Sequence, residues 1–175
     1  MMKILGTFIK KSMYSFLRDL RNDKFKGHNR KVSLGDLIWD RWETAEFYGF
    51  GKGTSCYDNT LIIGDVSIGD NTWIGPNVIL DGSGGLIIGS NVSISAGVQI
   101  YTHDNIDQST SLGVTDIVHA PTTIGNGVYI GPNAVIQKGC KIGDYAIIGA
   151  LSFVNTDIPE GAKVIGIPAR IMNVE

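Results

Sequence analysis

The chain repeats itself every six residues, as in Ile68-Gly-Asp-Asn-Thr-Trp73, Ile74-Gly-Pro-Asn-Val-Ile79, Ile124-Gly-Asn-Gly-Val-Tyr129 and Ile130-Gly-Pro-Asn-Ala-Val135. The first residue of each unit is apolar, the fifth is small, and glycine and asparagine occupy turn positions. The apolar position recurs from 50 to 80, from 88 to 100 and from 118 to 154, which makes sixteen units. Such a short period predicts a solenoid in which each unit is one short strand and one turn.

Three such units would close one coil of about 18 residues, and successive coils would stack about 4.8 Å apart through main-chain hydrogen bonds. Equivalent residues then lie above one another and form a narrow apolar core. The sequence therefore predicts an all-β solenoid, a parallel β-helix of about five coils, within a domain at residues 47–175. The 23 glycines agree with this fold, because many turns require a residue that tolerates positive φ.

Residues 1–46 lack the repeat and are predicted to form a basic helical arm. Residues 1–31 carry nine Lys or Arg and two Asp, whereas the rest of the chain carries six basic and fifteen acidic residues. Apolar residues between 3 and 21 fall at helical spacing, residues 22–32 are predicted to be a linker, and Ser33 is placed to cap a second helix that ends near Glu46.

Two interpretations of the first helix remain open. It packs on the rest of the protein or a neighbouring subunit, or it lies on an anionic membrane surface through residues 1–31. Nucleic acid is not an expected partner, because neither a basic groove nor stacking aromatics follow the arm. No apolar run is long enough for a membrane span and no signal peptide is evident, so a cytoplasmic location is expected, with contact to the inner membrane face left open.

The repeat is broken twice. Two additional residues fall within Asp81–Ile87, beside the turn Gly82-Ser-Gly-Gly85, and residues 101–117 lack the pattern although position 118 is again in phase. We interpret 101–117 as a loop that leaves the solenoid, and loops on rigid scaffolds often carry function. His103 lies at the base of this loop. Residues 157–172 are predicted to cap the last coil and protect its strand edges.

Several motifs between Thr54 and Ile171 carry a family resemblance. They are Ile79-Leu-Asp81, Val98-Gln-Ile-Tyr-Thr-His103-Asp104, the run from Pro121 to Gly131, Ile148-Gly-Ala150, Asn155-Thr-Asp-Ile-Pro159 and Gly166-Ile-Pro-Ala-Arg170. With these motifs the chain resembles the hexapeptide-repeat acyltransferases, in particular the sugar acetyltransferases of the galactoside, maltose and nodulation types. The resemblance implies a left-handed β-helix, a homotrimer with active sites between subunits, and acetyl-CoA as co-substrate.

The resemblance also implies roles for individual residues. His103 is the expected general base, because a neutral imidazole accepts a proton near pH 7, and His119 is the alternative base. Asp81, Trp73 and Asp104 are expected to bind the acceptor sugar. The alternative for Asp81 is a turn-capping role, and the alternative for Trp73 is packing against a neighbouring subunit. Asp104 is a candidate to orient His103, although adjacent side chains in an extended chain point apart, so another carboxylate or a carbonyl remains an alternative.

The resemblance places coenzyme A beside seven residues, namely Tyr129, Gly131, Ala150, Asn155, Thr156, Lys163 and Arg170. Pro132 has no N–H, so the N–H of Gly131 is the remaining candidate to stabilise the oxyanion of the tetrahedral intermediate. Metal catalysis is not expected, because the β-helical carbonic anhydrases need three histidines from neighbouring coils and only His103 and His119 lie near each other in this sequence.

The resemblance therefore implies acetyl transfer to a sugar hydroxyl, in surface polysaccharide or lipopolysaccharide biosynthesis, with His103 as the base. Two alternatives remain open. One is N-acetylation of a nucleotide-linked amino sugar, which would use the same base and the same groove. The other is a non-catalytic β-helical scaffold subunit.

Overall fold

A computed structural model describes the backbone of residues 2–172 and the side chains of residues 6–172. The chain divides into two compact units with a boundary between Asp40 and Arg41. The smaller unit contains helices α1 (Met2–His28) and α2 (Leu34–Ile38), and helix α3 (Arg41–Phe47) begins the larger unit. None of the helices in the described part of the chain combines the length and hydropathy that a membrane span needs.

Helix α1 is longer than the sequence predicted. It continues to His28, so the linker prediction is wrong for residues 22–28. The helix ends at Asn29, which adopts a left-handed φ of 49° and donates its N–H to the Phe25 carbonyl at 2.8 Å. Asparagine tolerates this conformation better than most residues, so it replaces glycine as the terminator. The predicted cap of the next helix is confirmed, because Ser33 Oγ accepts the Asp36 N–H at 3.3 Å.

The larger unit contains a parallel β-helix, and its described residues form sixteen strands, helix α3 and a second short helix. The strands are β1 (Ser55–Cys56), β2 (Leu61–Ile68), β3 (Trp73–Ile74), β4 (Ile79–Ile88), β5 (Ser93–Ile94), β6 (Gln99–Ile100), β7 (His103–Asp104), β8 (Val118–His119), β9 (Thr122–Ile124), β10 (Tyr129–Ile130), β11 (Val135–Ile136), β12 (Lys141–Ile142), β13 (Ile147–Ile148), β14 (Phe153–Val154), β15 (Lys163–Ile165) and β16 (Arg170–Ile171). Helix α4 (Ile106–Thr110) lies between β7 and β8.

Two sheets form the walls of the solenoid. The first has the strand order β1-β3-β5-β10-β13-β15-β16, and the second has the order β12-β9-β4-β6-β11-β14, with β2 paired to β4. The predicted core is confirmed, because the first residue of most units is buried and stacks on its equivalent in the next coil. The ladder of the first sheet contains Cys56, Ile74, Ile94, Ile130, Ile148 and Val164.

The solenoid extends further toward the C-terminus than the sequence repeat does. Ile158 forms a parallel bridge with Ile142, and Val164 stacks on Ile148, so both steps take 16 residues (158 − 142 and 164 − 148). Residues assigned to the cap therefore continue the coil with a shortened turn, and the solenoid has about six turns instead of five. The antiparallel pair β15–β16 closes the end of the first sheet.

The second break in the repeat removes a whole coil from the solenoid. Ile130 stacks directly on Ile94 although the two are 36 residues apart (130 − 94). The intervening chain leaves as a hairpin in which β7 pairs antiparallel with β8, and Val118 lies opposite Asp104. Val118 was predicted to restart the ladder and does not. Its phase was misleading, because removing one 18-residue coil leaves the six-residue count unchanged.

Candidate active site

The two breaks in the repeat meet at one corner of the solenoid. In the pairing of β2 with β4, Gly64 lies opposite Gly82 but Val66 lies opposite Leu86, so residues 83–85 bulge from the ladder. The extended hairpin begins one coil further on, directly above this bulge, because Leu80 pairs with Ile100. Asp81 and His103 each follow one of these two residues closely, so both lie at the same corner.

Asp81 and His103 are in direct contact. Asp81 Oδ2 lies 2.6 Å from His103 Nδ1, and the Asp81 side chain is fully buried whereas the His103 side chain is about one third exposed. Asp81 Oδ1 accepts the Ser83 N–H at 3.0 Å, and Oδ2 accepts the Thr102 N–H at 2.9 Å. The two main-chain donors fix the carboxylate, and the carboxylate in turn fixes the imidazole.

These contacts set the charge of Asp81. Burial would raise the pKa of this carboxyl, but the hydrogen bonds from Thr102, Ser83 and His103 outweigh burial and lower the pKa well below its usual range. Asp81 is therefore ionised at neutral pH and can only accept hydrogen bonds.

An ionised Asp81 also determines the tautomer of neutral His103. Nδ1 must carry the proton, since it faces a carboxylate that has none to donate. The lone pair then lies on Nε2, and within the described part of the chain no protein group bonds to that atom. The corner thus holds an oriented imidazole whose basic nitrogen is available to a bound molecule.

Asp81 consequently has neighbours other than the expected ones. The resemblance implied contact with an acceptor sugar, but the structure leaves the side chain with no exposed surface and places both oxygens against protein donors. The open alternative, that a carboxylate other than Asp104 orients His103, describes the observed contact.

Asp104 faces away from His103, as expected for adjacent residues in a strand. Its Oδ2 lies 2.6 Å from Lys138 Nζ, in the turn one coil above. The hydrogen bond from Lys138 lowers the pKa of Asp104. The ion pair joins the base of the hairpin to the solenoid, on the strand that carries His103.

We expect Lys138→Gln to loosen the hairpin without unfolding the solenoid. The pKa of Asp104 is lowered in the folded protein. The ion pair therefore stabilises the hairpin at pH values above the ordinary carboxyl pKa of about 4, and this stabilisation is lost as the pH falls through the lowered pKa. Limited proteolysis at neutral pH should therefore cut residues 105–117 faster in the variant. In acid, where Asp104 is protonated, the variant and the parent should be cut at the same rate.

Lys141→Gln is the matched control for this experiment. Lys141 is exposed in β12, and no ion pair joins its side chain to another described residue. Equal acceleration of proteolysis in both variants would contradict an anchoring role for Lys138.

His119 lies opposite His103 on the hairpin, with ring centroids 5.8 Å apart. Its side chain is exposed and no carboxylate orients it among the described residues. No group of three or more His, Cys, Asp or Glu side chains within residues 6–172 is arranged to hold a metal ion.

No hydrogen bond or ion pair joins His103 to the remaining predicted site residues in the part of the chain that the structure describes. Trp73, Tyr129 and Lys163 are exposed on strands of the first sheet, and Trp73 packs edge-on against Tyr57 at 6.4 Å between ring centroids. Gly131 and Ala150 are in turns that follow this sheet, Arg170 is in β16, and Asn155 and Thr156 follow β14.

The expectation that Gly131 supplies the oxyanion donor is wrong for this conformation. Its N–H already donates to the Ile148 carbonyl at 2.8 Å as part of the ladder. The glycine itself has a packing reason, because a Cβ at this position would lie 2.5 Å from the Ala150 nitrogen.

Sequence reasoning assigned no role to Ser83, Thr102 or Lys138. Ser83 Oγ lies 2.9 Å from His103 Nδ1, and Thr102 Oγ1 both donates to the Asp81 carbonyl and accepts the Gly84 N–H, each at 2.8 Å. The bulge at residues 83–85 was visible as two additional residues in the repeat, but its contacts with the next coil depend on three-dimensional register.

Known proteins support this description. Residues 121–156 match the family model described as bacterial transferase hexapeptide (six repeats), and residues 61–102 match the model described as hexapeptide repeat of succinyl-transferase. The chain is 33% identical to galactoside O-acetyltransferase of Escherichia coli (strain K12) over 147 residues, which are 81% of this chain and 63% of that protein.

Nodulation protein L of Rhizobium meliloti is 38% identical over 107 residues, which are 61% of this chain and 58% of that protein. The chain thus spans slightly less than two thirds of the length of these curated relatives. A hexapeptide-repeat acetyltransferase from Vibrio cholerae O1 biovar eltor, solved in complex with acetyl coenzyme A, matches with a TM-score of 0.68 and 29% identity over 91% of this chain and 87% of that one. The repeat, the parallel solenoid and these similarities show that the chain is a hexapeptide-repeat protein and that it is similar to hexapeptide-repeat acetyltransferases.

Proposed function

We propose that the protein is an acetyl-CoA-dependent acetyltransferase in which His103 is the general base. The observation that carries this proposal is the 2.6 Å contact between Asp81 Oδ2 and His103 Nδ1. It leaves Nε2 as the basic nitrogen on a partly exposed ring, which is the arrangement that general-base catalysis requires. The similar Vibrio cholerae structure contains acetyl coenzyme A, which supports this acyl donor.

In the proposed reaction, His103 Nε2 takes the proton of the acceptor hydroxyl. The acceptor oxygen attacks the thioester carbonyl, the carbon–sulfur bond breaks, and the proton passes from the imidazolium to the departing thiolate. The products are an acetyl ester and coenzyme A. Asp81 stabilises the transient imidazolium, because an ionised and buried carboxylate lies beside Nδ1.

A sugar hydroxyl is the proposed acceptor, within surface polysaccharide or lipopolysaccharide synthesis. Similarity to galactoside O-acetyltransferase supports O-acetylation. Trp73 supports a sugar acceptor, because its side chain is exposed at the surface and an aromatic face stacks well on a sugar ring. An amino sugar linked to a nucleotide is the alternative acceptor, and the acetyl product would then be an amide.

The active site is proposed to form between subunits of a homotrimer. Within one chain, His103 lies at a corner of the second sheet, whereas Tyr129, Lys163 and Arg170 lie on the first. In this proposal a neighbouring copy brings the coenzyme A residues of its first sheet to the base. Mixed trimers of His103→Ala and Arg170→Glu chains should recover activity that neither variant shows below acetyl-CoA saturation, and no recovery would place both residues within one chain.

The basic arm is proposed to contact an anionic membrane surface on the cytoplasmic side through residues 1–31. Their nine basic and two acidic residues support this, as do Phe8, Met13 and Phe16, which are all exposed on α1. Sedimentation with anionic vesicles should fall when residues 1–31 are deleted. Equal sedimentation of both forms would dismiss the contact.

The experiment that tests the catalytic proposal measures thiol release from acetyl-CoA with a panel of sugars, amino sugars and their nucleotide derivatives. Release that depends on one acceptor supports the enzyme and identifies the ester or amide product. An absence of both turnover and coenzyme A binding would instead support the non-catalytic scaffold.

A further inference from the structure

A cationic cleft lies between the second half of α1 and the start of α2. Its volume is about 530 Å³, and it is lined by Arg21, Asn22, Phe25, Arg30, Lys31, Val32 and Leu37. No carboxylate is among these residues. The cleft belongs wholly to the smaller unit, outside the β-helix that carries His103.

The sequence builds this cleft through one turn. Asn29 ends α1 in the left-handed conformation, so the chain reverses and carries Arg30 and Lys31 back along the helix. Ser33 then caps α2. The unit is closed by an ion pair of 2.8 Å between Lys24 Nζ and Asp40 Oδ2, whose side chains are both partly buried. The turn, the cap and the ion pair therefore hold Arg30 and Lys31 in place beside α1.

The three cations of the cleft are unneutralised within the described residues. Arg21, Arg30 and Lys31 form no ion pair there, whereas the nearby carboxylates are mostly engaged: Asp19 with Arg18, Asp36 with the Ser33 hydroxyl, and Asp40 with Lys24. Residues 1–40 carry nine basic and four acidic side chains, a net charge of +5 (9 − 4). Like charges that converge without a counterion repel one another.

The helix dipole does not account for this arrangement. Cations just beyond a helix C-terminus interact favourably with the last carbonyl groups, and this could explain Arg30 and Lys31. Arg21 lies seven residues before the end of α1 (28 − 21), which is about two helical turns and beyond the reach of that effect. A ligand that bridges both sides of the cleft accounts for all three.

We propose that this cleft binds the phosphate or diphosphate group of an organic anion. Two guanidinium groups and an ammonium match the several oxygens of such a group, and Asn22 adds a neutral donor. Phe25, Val32 and Leu37 supply an apolar wall, so the remainder of the ligand is aromatic or aliphatic. A nucleoside diphosphate and the headgroup of an anionic phospholipid share this chemistry.

Direct binding by the full chain tests the proposal without any catalytic readout. One arm titrates pyrophosphate and uridine diphosphate by calorimetry, and the other compares sedimentation with phosphatidylcholine vesicles that contain or lack phosphatidic acid. We expect binding in at least one arm. Binding in the soluble arm alone identifies a free phosphate ligand, and binding only to vesicles with phosphatidic acid identifies a lipid headgroup.

The variant Arg30→Gln with Lys31→Gln should weaken that binding by about tenfold or more, since it removes two charge-assisted contacts. The matched control is Lys52→Gln with Lys141→Gln, which removes two charges from exposed positions of the larger unit, outside both the cleft and residues 1–31. The control should stay within about threefold of the parent. Equal weakening by both pairs, or no binding in either arm, would overturn the proposal.

Discussion

Replacing His103 with alanine is expected to lower kcat for acetyl transfer by about 10²- to 10⁴-fold, the range typical of a lost general base. The acceptor must then ionise without a positioned proton acceptor, since no other oriented imidazole lies at this corner among the described residues. Coenzyme A affinity should change little, because no hydrogen bond joins His103 to a proposed coenzyme A residue among the described residues, and Tyr129, Lys163 and Arg170 lie on the first sheet. Steady-state thiol release and a separate coenzyme A titration measure the two quantities.

His119→Ala is the matched control for His103→Ala. His119 lies on the same hairpin and its ring is 5.8 Å from that of His103, but no carboxylate orients it among the described residues. We expect kcat to stay within a few-fold of the parent. A severe loss of kcat in His119→Ala, together with an active His103→Ala enzyme, would show that His119 and not His103 is the general base.

The core of the β-helix was predictable because its information is local. Each of Ile74, Ile94 and Ile130 is identifiable from a six-residue window, and stacking follows once the period is known. The same local count failed at Val118, since expelling one whole coil leaves the phase intact. It also missed Val164, because the last turns are two residues shorter and the period is lost.

The candidate site was predictable in place but not in its contacts. The breaks at Asp81 and His103 fall in consecutive coils, so the sequence indicates that they share a corner. The contact partner of each side chain depends on the register between coils and on the side of the strand from which the side chain projects. Asp104 is adjacent to His103 in sequence yet pairs with Lys138, 34 residues away (138 − 104), whereas Asp81 contacts His103 from 22 residues away (103 − 81).

The proposed coenzyme A residues illustrate a further limit. A family resemblance transfers positions such as Tyr129 and Arg170 to this chain, but it does not tell which copy of the chain supplies them to His103. In one chain they lie on a different sheet from the base. Their assignment therefore depends on assembly, which is encoded by surfaces and not by the six-residue repeat.

Asp81→Asn is expected to lower both activity and stability. Both Asp81 oxygens accept main-chain N–H groups, from Ser83 at 3.0 Å and from Thr102 at 2.9 Å. An amide has only one oxygen, so its NH₂ must face one of these donors. If it faces the buried Thr102 N–H, that donor is left unsatisfied at a cost of about 1–3 kcal/mol. If the NH₂ takes the Oδ2 position, it also faces His103 Nδ1 and favours the tautomer that places the proton on Nε2, where it blocks the base.

We therefore expect kcat to fall by about 10²-fold or more, with a lower free energy of unfolding in urea. The pKa of Asp81 is lowered in the folded protein, so its stabilisation is present above the unfolded carboxyl pKa of about 4 and declines in stronger acid. The difference in the free energy of unfolding between parent and variant should consequently narrow below that pH.

Asp104→Asn is the matched control. It makes the same chemical change at the residue next to His103, outside the Asp81–His103 pair, and should retain most of kcat. If both variants lost kcat equally, the loss would reflect a disturbed hairpin, and Asp81 would not be the residue that orients the base.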